Sequence, residues 1–238
     1  MNKSQLYSYK CFDVLAAFYA AILVVSNIAS SAKIVDMGFS LFGIRLAFDG
    51  GTLLFPFVYV LGDILTEVYG FKAARRVIWT GFVILAFSSL VFFVLNKLPA
   101  EPLWEDTAGN AAFTAILGGM SFGGIVLASL AAYLTGEFFN AMLHSKIKVM
   151  MQGRRLWFRT IASSLAGELL DSLLFVSIAC LTGVFAWELF FTLLFTNYVL
   201  KCLIEALVLP LTYAAVRRLK KLEGIDTFDT GISYRIIG

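Results

Sequence analysis

Residues 77–95 read VIWTGFVILAFSSLVFFVL, without a single charged side chain. A helix crossing about 30 Å of hydrocarbon needs roughly 20 mostly apolar residues. This stretch meets that length and shows no strand-like alternation. Arg75-Arg76 stand before it, and Asn96-Lys97-Leu98-Pro99 follow it. A proline beside polar residues stops a helix. The segment therefore reads as one membrane span, roughly 76–96.

Composition extends that reading to the whole chain. Of 238 residues, 60% are apolar and 15% are charged. A soluble chain runs nearer about 45–50% and about 25%. Mean hydropathy is +0.84. A soluble globular enzyme, a disordered chain and a disulfide scaffold are excluded. In lipid only helices and closed barrels satisfy their own backbone. A barrel would show ten-residue alternating segments, whereas this chain shows long apolar blocks. The expected fold is an all-α integral membrane protein of six transmembrane helices, roughly 12–30, 48–69, 76–96, 122–143, 156–182 and 187–216. They form a single domain over 1–238, with residues 1–11 and 217–238 as tails.

The basic residues give the orientation. Of the 19 Lys and Arg, all but Lys33, Arg45, Lys97 and Lys201 fall in the tails or in the loops after the second and fourth spans and at their edges, where Arg76 and Arg159 stand. Cytoplasmic loops carry this excess, so both termini are expected in the cytoplasm. A cleaved leader over residues 1–32 would leave five spans and break the alternation. Residues 108–124 include Gly118-Gly119-Met120-Ser121-Phe122-Gly123-Gly124. They fit a helix start with close packing, or a re-entrant helix lining a cavity; the first is preferred.

Polar groups stand where lipid would be expected. Asp63, Glu67, Glu137, Asn140, Glu168, Asp171, Asn197, Lys201 and Glu205 all fall inside spans. One charge at a helix centre costs about 2.5–3.5 kcal/mol on insertion scales. These groups must therefore face inward, pair or become neutral. Asp63 with Glu67 and Lys201 with Glu205 are spaced i, i+4. Glu137 with Asn140 and Glu168 with Asp171 are spaced i, i+3. Each pair shares one helix side. Gly62, Gly136 and Gly167 each precede an acid, so another backbone can approach there. Two carboxylates on one face cannot both ionise cheaply, so at least one of Glu168 and Asp171 is expected to hold a proton at neutral pH. Lys201 is expected to pair with the other, or with Glu205. A polar set at several depths suits a permeation path and a proton-coupled carrier.

No ATP-binding loop and no HExxH, CxxC or GxSxG motif is present. Three scattered cysteines and one histidine offer no metal cluster. No catalytic residue, metal or cofactor is expected, and topology alone explains the basic edges without a nucleic-acid partner.

The chain resembles the queuosine precursor transporter family, also called the vitamin uptake transporter family. The resemblance is carried by Ser26-Asn27 with Lys33, then by Phe55-Pro56-Phe57-x-Tyr59-x3-Asp63-x3-Glu67-x-Tyr69-Gly70 with Ala74-Arg75. It continues through Gly136-Glu137-x2-Asn140, Ser163-Ser164-x2-Gly167-x3-Asp171, and Lys201-x3-Glu205 with Pro210. It spans roughly residues 12–216. It implies a six-helix carrier of the bacterial inner membrane that imports a deazaguanine precursor of queuosine for tRNA modification. The residues expected to serve binding or transport are Asn27, Lys33, Asp63, Glu67, Glu137, Asn140, Glu168, Asp171, Lys201 and Glu205. A guanine-like edge offers adjacent N–H donors that Glu168 or Asp171 would accept. Asn27, Asn140 or Lys201 would donate, and Phe55, Tyr59 or Tyr198 would stack on the ring. A purine-like solute and the lipid bilayer are the expected partners, with a homodimer plausible for so small a carrier. The rival readings are a binding subunit of a larger importer, a carrier of another vitamin-like solute, an intramembrane enzyme and a scaffold.

Overall fold

The computed structural model describes residues 9–41, 44–120 and 123–236. Lys3 of the basic N-terminus and Ser121-Phe122 of the glycine-rich run lie outside the described residues. Five described helices are long and apolar enough to cross a membrane. They are α1 (Phe12–Ala32), α3 (Phe71–Lys97), α6 (Gly124–Met150), α7 (Leu156–Leu181) and α8 (Phe190–Glu223). Between them lie α2 (Phe55–Tyr69), α4 (Pro102–Thr107) and α5 (Gly109–Leu117).

The second expected span takes a different form. It opens as a 3-10 turn, Gly50–Leu53, and only its last part is the fifteen-residue α2. Pro56 sits in the first turn, where a missing N–H costs nothing. Gly70, at φ +85, ends the helix and α3 begins at once. Apart from Phe57 and Leu61, all of α2 is buried. Both its apolar sides and the face bearing Asp63 and Glu67 are enclosed by protein, and α2 packs against α1, α3, α6 and α8.

A β-hairpin departs from the all-α expectation. β1 (Ile34–Leu41) pairs antiparallel with β2 (Ile44–Asp49), with Ile34 opposite Asp49 and a register shift between Asp36 and Ser40. Its strand β2 packs on α8. The glycine-rich run divides: Gly123, as N-cap, and Gly124 start α6, where a Cβ on Gly124 would stand 1.9 Å from the Thr182 hydroxyl, and the first three residues do not belong to that helix. Those first three residues follow α5 as a separate 3-10 turn, Gly118–Met120. Ser31 on α1 donates to the Ile116 carbonyl at 2.8 Å and so ties α5 to α1.

Helices α6 and α7 form the most extensive pairing, and two glycines make it possible. A Cβ on Gly136 would stand 2.3 Å from the Tyr59 hydroxyl and 3.0 Å from the Gly167 carbonyl oxygen. A Cβ on Gly167 would stand 2.9 Å from the Gly136 carbonyl oxygen. Backbone meets backbone here, with the Tyr59 ring against both glycines. Glu137, Asn140, Glu168 and Asp171, one to four residues along, are thereby carried into the same interior.

Candidate functional site

Three polar layers run through the bundle. The first lies at the hairpin end. Asp49 ends β2 and caps the 3-10 turn. Its Oδ1 accepts from Ser30 Oγ at 2.5 Å and from Gly51 N at 3.1 Å. Its Oδ2 accepts from Thr52 Oγ1 and Asn197 Nδ2, both at 2.8 Å. Four donors fill this carboxylate and fasten α1 and α8 to the hairpin.

Just inside it, Lys201 on α8 pairs with Asp171 on α7. The same ammonium lies 5.0 Å from the centre of the Phe55 ring. A small cavity, with free room of about 10 Å3, is lined here by Asp49, Phe55, Asp171, Phe175 and Lys201, with Ser30, Thr52 and Ser129. Its free room is close to that of one water molecule, so a ligand the size of a base needs the helices to part.

The middle layer is crowded with acids. Asp63 accepts from Asn140 Nδ2 at 2.9 Å and from Ser164 Oγ at 3.4 Å, and His144 Nδ1 lies 3.4 Å from its Oδ1. Glu168 Oε2 faces Cys202 Sγ at 3.2 Å. Other buried atoms have no hydrogen-bond partner among the described residues. They include both carboxyl oxygens of Glu137, Glu168 Oε1, Glu205 Oε1, the Tyr59 hydroxyl and Asn140 Oδ1; Asn27 Oδ1, Ser172 Oγ, Ser89 Oγ, Thr160 Oγ1 and Thr196 Oγ1 are unpartnered as well. Leaving a buried polar atom unsatisfied costs about 1–3 kcal/mol. Natural structures keep few such atoms, and a cluster of them calls for a functional explanation.

At the far end Glu67 collects cations. Arg159 grips it with two bonds, Nε to Oε2 at 2.8 Å and Nη2 to Oε1 at 2.7 Å. Such paired bonds are the strong kind. Lys220 also bonds Oε1, and His144 Nε2 lies 3.1 Å from Oε2. Lys148 spends its three donors on the Glu67 carbonyl (2.6 Å), Asp226 Oδ1 (2.6 Å) and the Thr227 carbonyl (2.7 Å). The C-terminal segment is thus bound across this end. Asp229 adds bonds from Phe71 N and Ser145 Oγ.

The sequence profile of the family described as "Putative vitamin uptake transporter" matches residues 49–215. The chain belongs to this family. It is 28% identical over 166 residues to the "Probable queuosine precursor transporter" of Bacillus subtilis (strain 168), covering 69% of this chain and 70% of that one. It is 27% identical over 176 residues to the "Queuosine precursor transporter" of Escherichia coli (strain K12), covering 74% and 72%. A third such relative, from Haemophilus influenzae, is 26% identical over 181 residues. No solved structure matches the chain. Family membership and the long apolar helices together make this a multi-pass bacterial membrane protein.

The family match opens on Asp49, so it contains the acids of the middle layer, the Asp49 network apart from Ser30, and Glu67 with Arg159, His144 and Lys148, but not Lys220, Asp226, Thr227 or Asp229. Of the residues anticipated from sequence, Asp171, Lys201 and Phe55 line the cavity. Asp63, Glu137, Asn140, Glu168 and Glu205 are buried in the layer beside it. Glu67 anchors the far network. Tyr59 is wedged against Gly136 and Gly167, and the Tyr198 hydroxyl bonds the Leu165 carbonyl on α7. Neither ring lines the cavity. Asn27 is buried, with its Nδ2 on the Leu23 carbonyl of its own helix. Lys33 is exposed at the end of α1, where its carbonyl accepts from Gly50 N.

Sequence reasoning missed Asp49, Thr52, Ser30, His144, Lys148, Arg159 and Lys220, and passed over Asn197. Helical spacing carried a signal for several of them. Glu137, Asn140, His144 and Lys148 share one face of α6, and Asn197, Lys201 and Glu205 share one face of α8.

Proposed function

We propose that this protein is an importer in the bacterial inner membrane for a queuosine precursor, 7-cyano-7-deazaguanine or its aminomethyl relative, which feeds tRNA modification. No covalent chemistry belongs to this role. The proposal includes six crossings in a single domain with both termini in the cytoplasm. The sixth crossing is the 3-10 turn with α2, whose combined length suits about 30 Å of hydrocarbon. Three relatives bearing that transport name support the reading.

One structural observation carries it. Unpartnered polar atoms cluster in the interior between two networks whose bonds are filled. The Asp49 network fastens the hairpin end, and the Glu67 network fastens the end with the C-terminal segment. Such a pattern fits a solute site reached alternately from two faces. Within it, Phe55 and Phe175 border the cavity and supply ring faces for a flat base. Asp171, with Glu168 beside it, accepts the adjacent N–H donors of a guanine-like edge. Lys201 and Asn140 donate to its carbonyl and ring nitrogen, and Glu205 and Asp63 support them.

The test is rescue. Bacteria that neither make nor import the precursor are given 7-cyano-7-deazaguanine in the medium. Queuosine is expected in their tRNA only when this protein is produced. Its absence from the tRNA, with the protein present in the membrane, contradicts the proposal.

A further inference from the structure

The only histidine of the chain stands between two carboxylates in the bundle interior. His144 is fully buried. Its Nδ1 faces Asp63 Oδ1 at 3.4 Å, and its Nε2 faces Glu67 Oε2 at 3.1 Å. Both acids come from α2, four residues apart, so one helix face presents a carboxylate to each ring nitrogen. Among the described residues the other polar partner of the ring is Ser163 Oγ on α7, 3.4 Å from Nδ1.

The two acids are not equivalent. Glu67 is held by Arg159 from α7, Lys148 from α6 and Lys220 from α8, and Asp226 of the C-terminal segment shares both lysines. Among the described residues Asp63 has no cation other than His144 within ion-pair distance. Its other contacts are the neutral Asn140 and Ser164. Beyond Asp63 come further carboxyl groups, Glu137 on α6, Glu168 on α7 and Glu205 on α8, with atoms that lack partners. Glu137 and Glu205 lie within electrostatic reach of Asp63. The imidazole thus separates a fixed charge network on one side from acids short of counter-charge on the other.

We propose that His144 is the proton-binding residue through which import is coupled to a proton gradient. The inference rests on the transport reading above and deepens it. One N–H bond forms on the ring as a proton arrives from the Asp63 side, and the ring becomes imidazolium between two carboxylates. The same proton leaves to water on the Glu67 side when that network opens, restoring the neutral ring. No other bond changes, and one proton crosses per cycle. Intramembrane Asp, Glu and His groups serve as proton relays in pumps and transporters, and imidazole changes charge within the physiological range.

The test uses purified full-length protein, carried on an affinity tag free of histidine and reconstituted in liposomes with labelled 7-cyano-7-deazaguanine. With the membrane potential clamped, one proton per solute gives about tenfold accumulation for each unit of imposed pH gradient. Wild-type protein is expected to reach it. The His144→Gln variant is expected to keep counterflow exchange within about threefold of wild type while losing accumulation. Accumulation by His144→Gln equal to wild type overturns the proposal. So does wild-type exchange that no pH gradient can drive uphill, although import itself then stands. Absence of exchange by wild-type protein overturns the transport reading instead. Should His144→Gln lose exchange as well, nitrogen-15 NMR of the wild-type imidazole decides, because a single histidine gives a single assignable ring. Its protonation state is expected to change when the solute is added. A ring unchanged from about pH 5 to pH 9, with or without solute, overturns the proposal.

Discussion

Replacing Glu67 with Ala is expected to give the largest loss of stability of any single change in this protein. The substitution removes the carboxylate shared by Arg159, Lys148 and Lys220, all of which remain in place. Glu67 itself is fully buried, and Arg159 and Lys148 are almost so. Breaking a buried ion pair by deleting one partner costs about 3–5 kcal/mol, because the other charge stays buried without compensation. Three cations share the anion here, so the upper part of that range applies. For a chain of this size the melting midpoint falls by about 10 °C or more. Glu67→Gln keeps an oxygen for Arg159 and is expected to lose less. Thermal unfolding in detergent measures both. Equal melting of Glu67→Ala and wild type would show that the network contributes nothing to the fold.

The second large effect falls on transport. Asp171 and Lys201 are each other's buried counter-ions and border the cavity. Truncating one partner of such a pair costs about 2–5 kcal/mol, which corresponds to roughly 30-fold to several thousand-fold in an equilibrium or rate. Asp171→Asn and Lys201→Met are therefore each expected to lower uptake by at least about 30-fold. A fall in folded protein could produce the same result, so the decisive variant is the double change Asp171→Asn with Lys201→Gln. It removes both charges of the pair together and is expected to reach the membrane at wild-type levels. Uptake by it is nonetheless expected to stay at least about 30-fold down, because both the acceptor for the solute's N–H edge and the ammonium donor are gone. Wild-type uptake by the double variant would make the pair structural. If Asp171→Asn and Glu168→Gln both keep full uptake, neither reads the solute.

Much of the fold was legible because lipid is a strict solvent. The block at residues 77–95 had to become a helix, and α3 is one. The acids spaced i, i+3 and i, i+4 had to turn inward, and they are buried. The form of the second span was not legible. Counting apolar residues cannot tell a lipid-facing helix from a core helix, and α2 is shorter because protein surrounds it. The hairpin was hidden because residues 34–47 join two expected spans as a short loop and 48–49 fall at the start of the second span, and neither shows a long alternating run. The Glu67 network was missed for a related reason. In sequence, Lys148 and Arg159 stand at the loop after the fourth span, where basic residues signal topology. In fact α6 runs to Met150 rather than to about residue 143, which carries Lys148 back under Glu67. Lys201 shows the same limit. Glu205 on its own helix and Asp171 on the next are both plausible partners in sequence, and only the packing of α7 on α8 selects Asp171.

The central claim is that the chain carries a queuosine precursor into the cell. Its most direct test is uptake of radiolabelled 7-cyano-7-deazaguanine by intact bacteria that lack their own synthesis and import of it, with and without this protein. Rapid uptake that depends on the protein, saturates with solute and is blocked by excess unlabelled precursor is the expected result. Uptake no faster than in cells carrying the empty vector, with the protein shown to be folded in the membrane, would contradict the account.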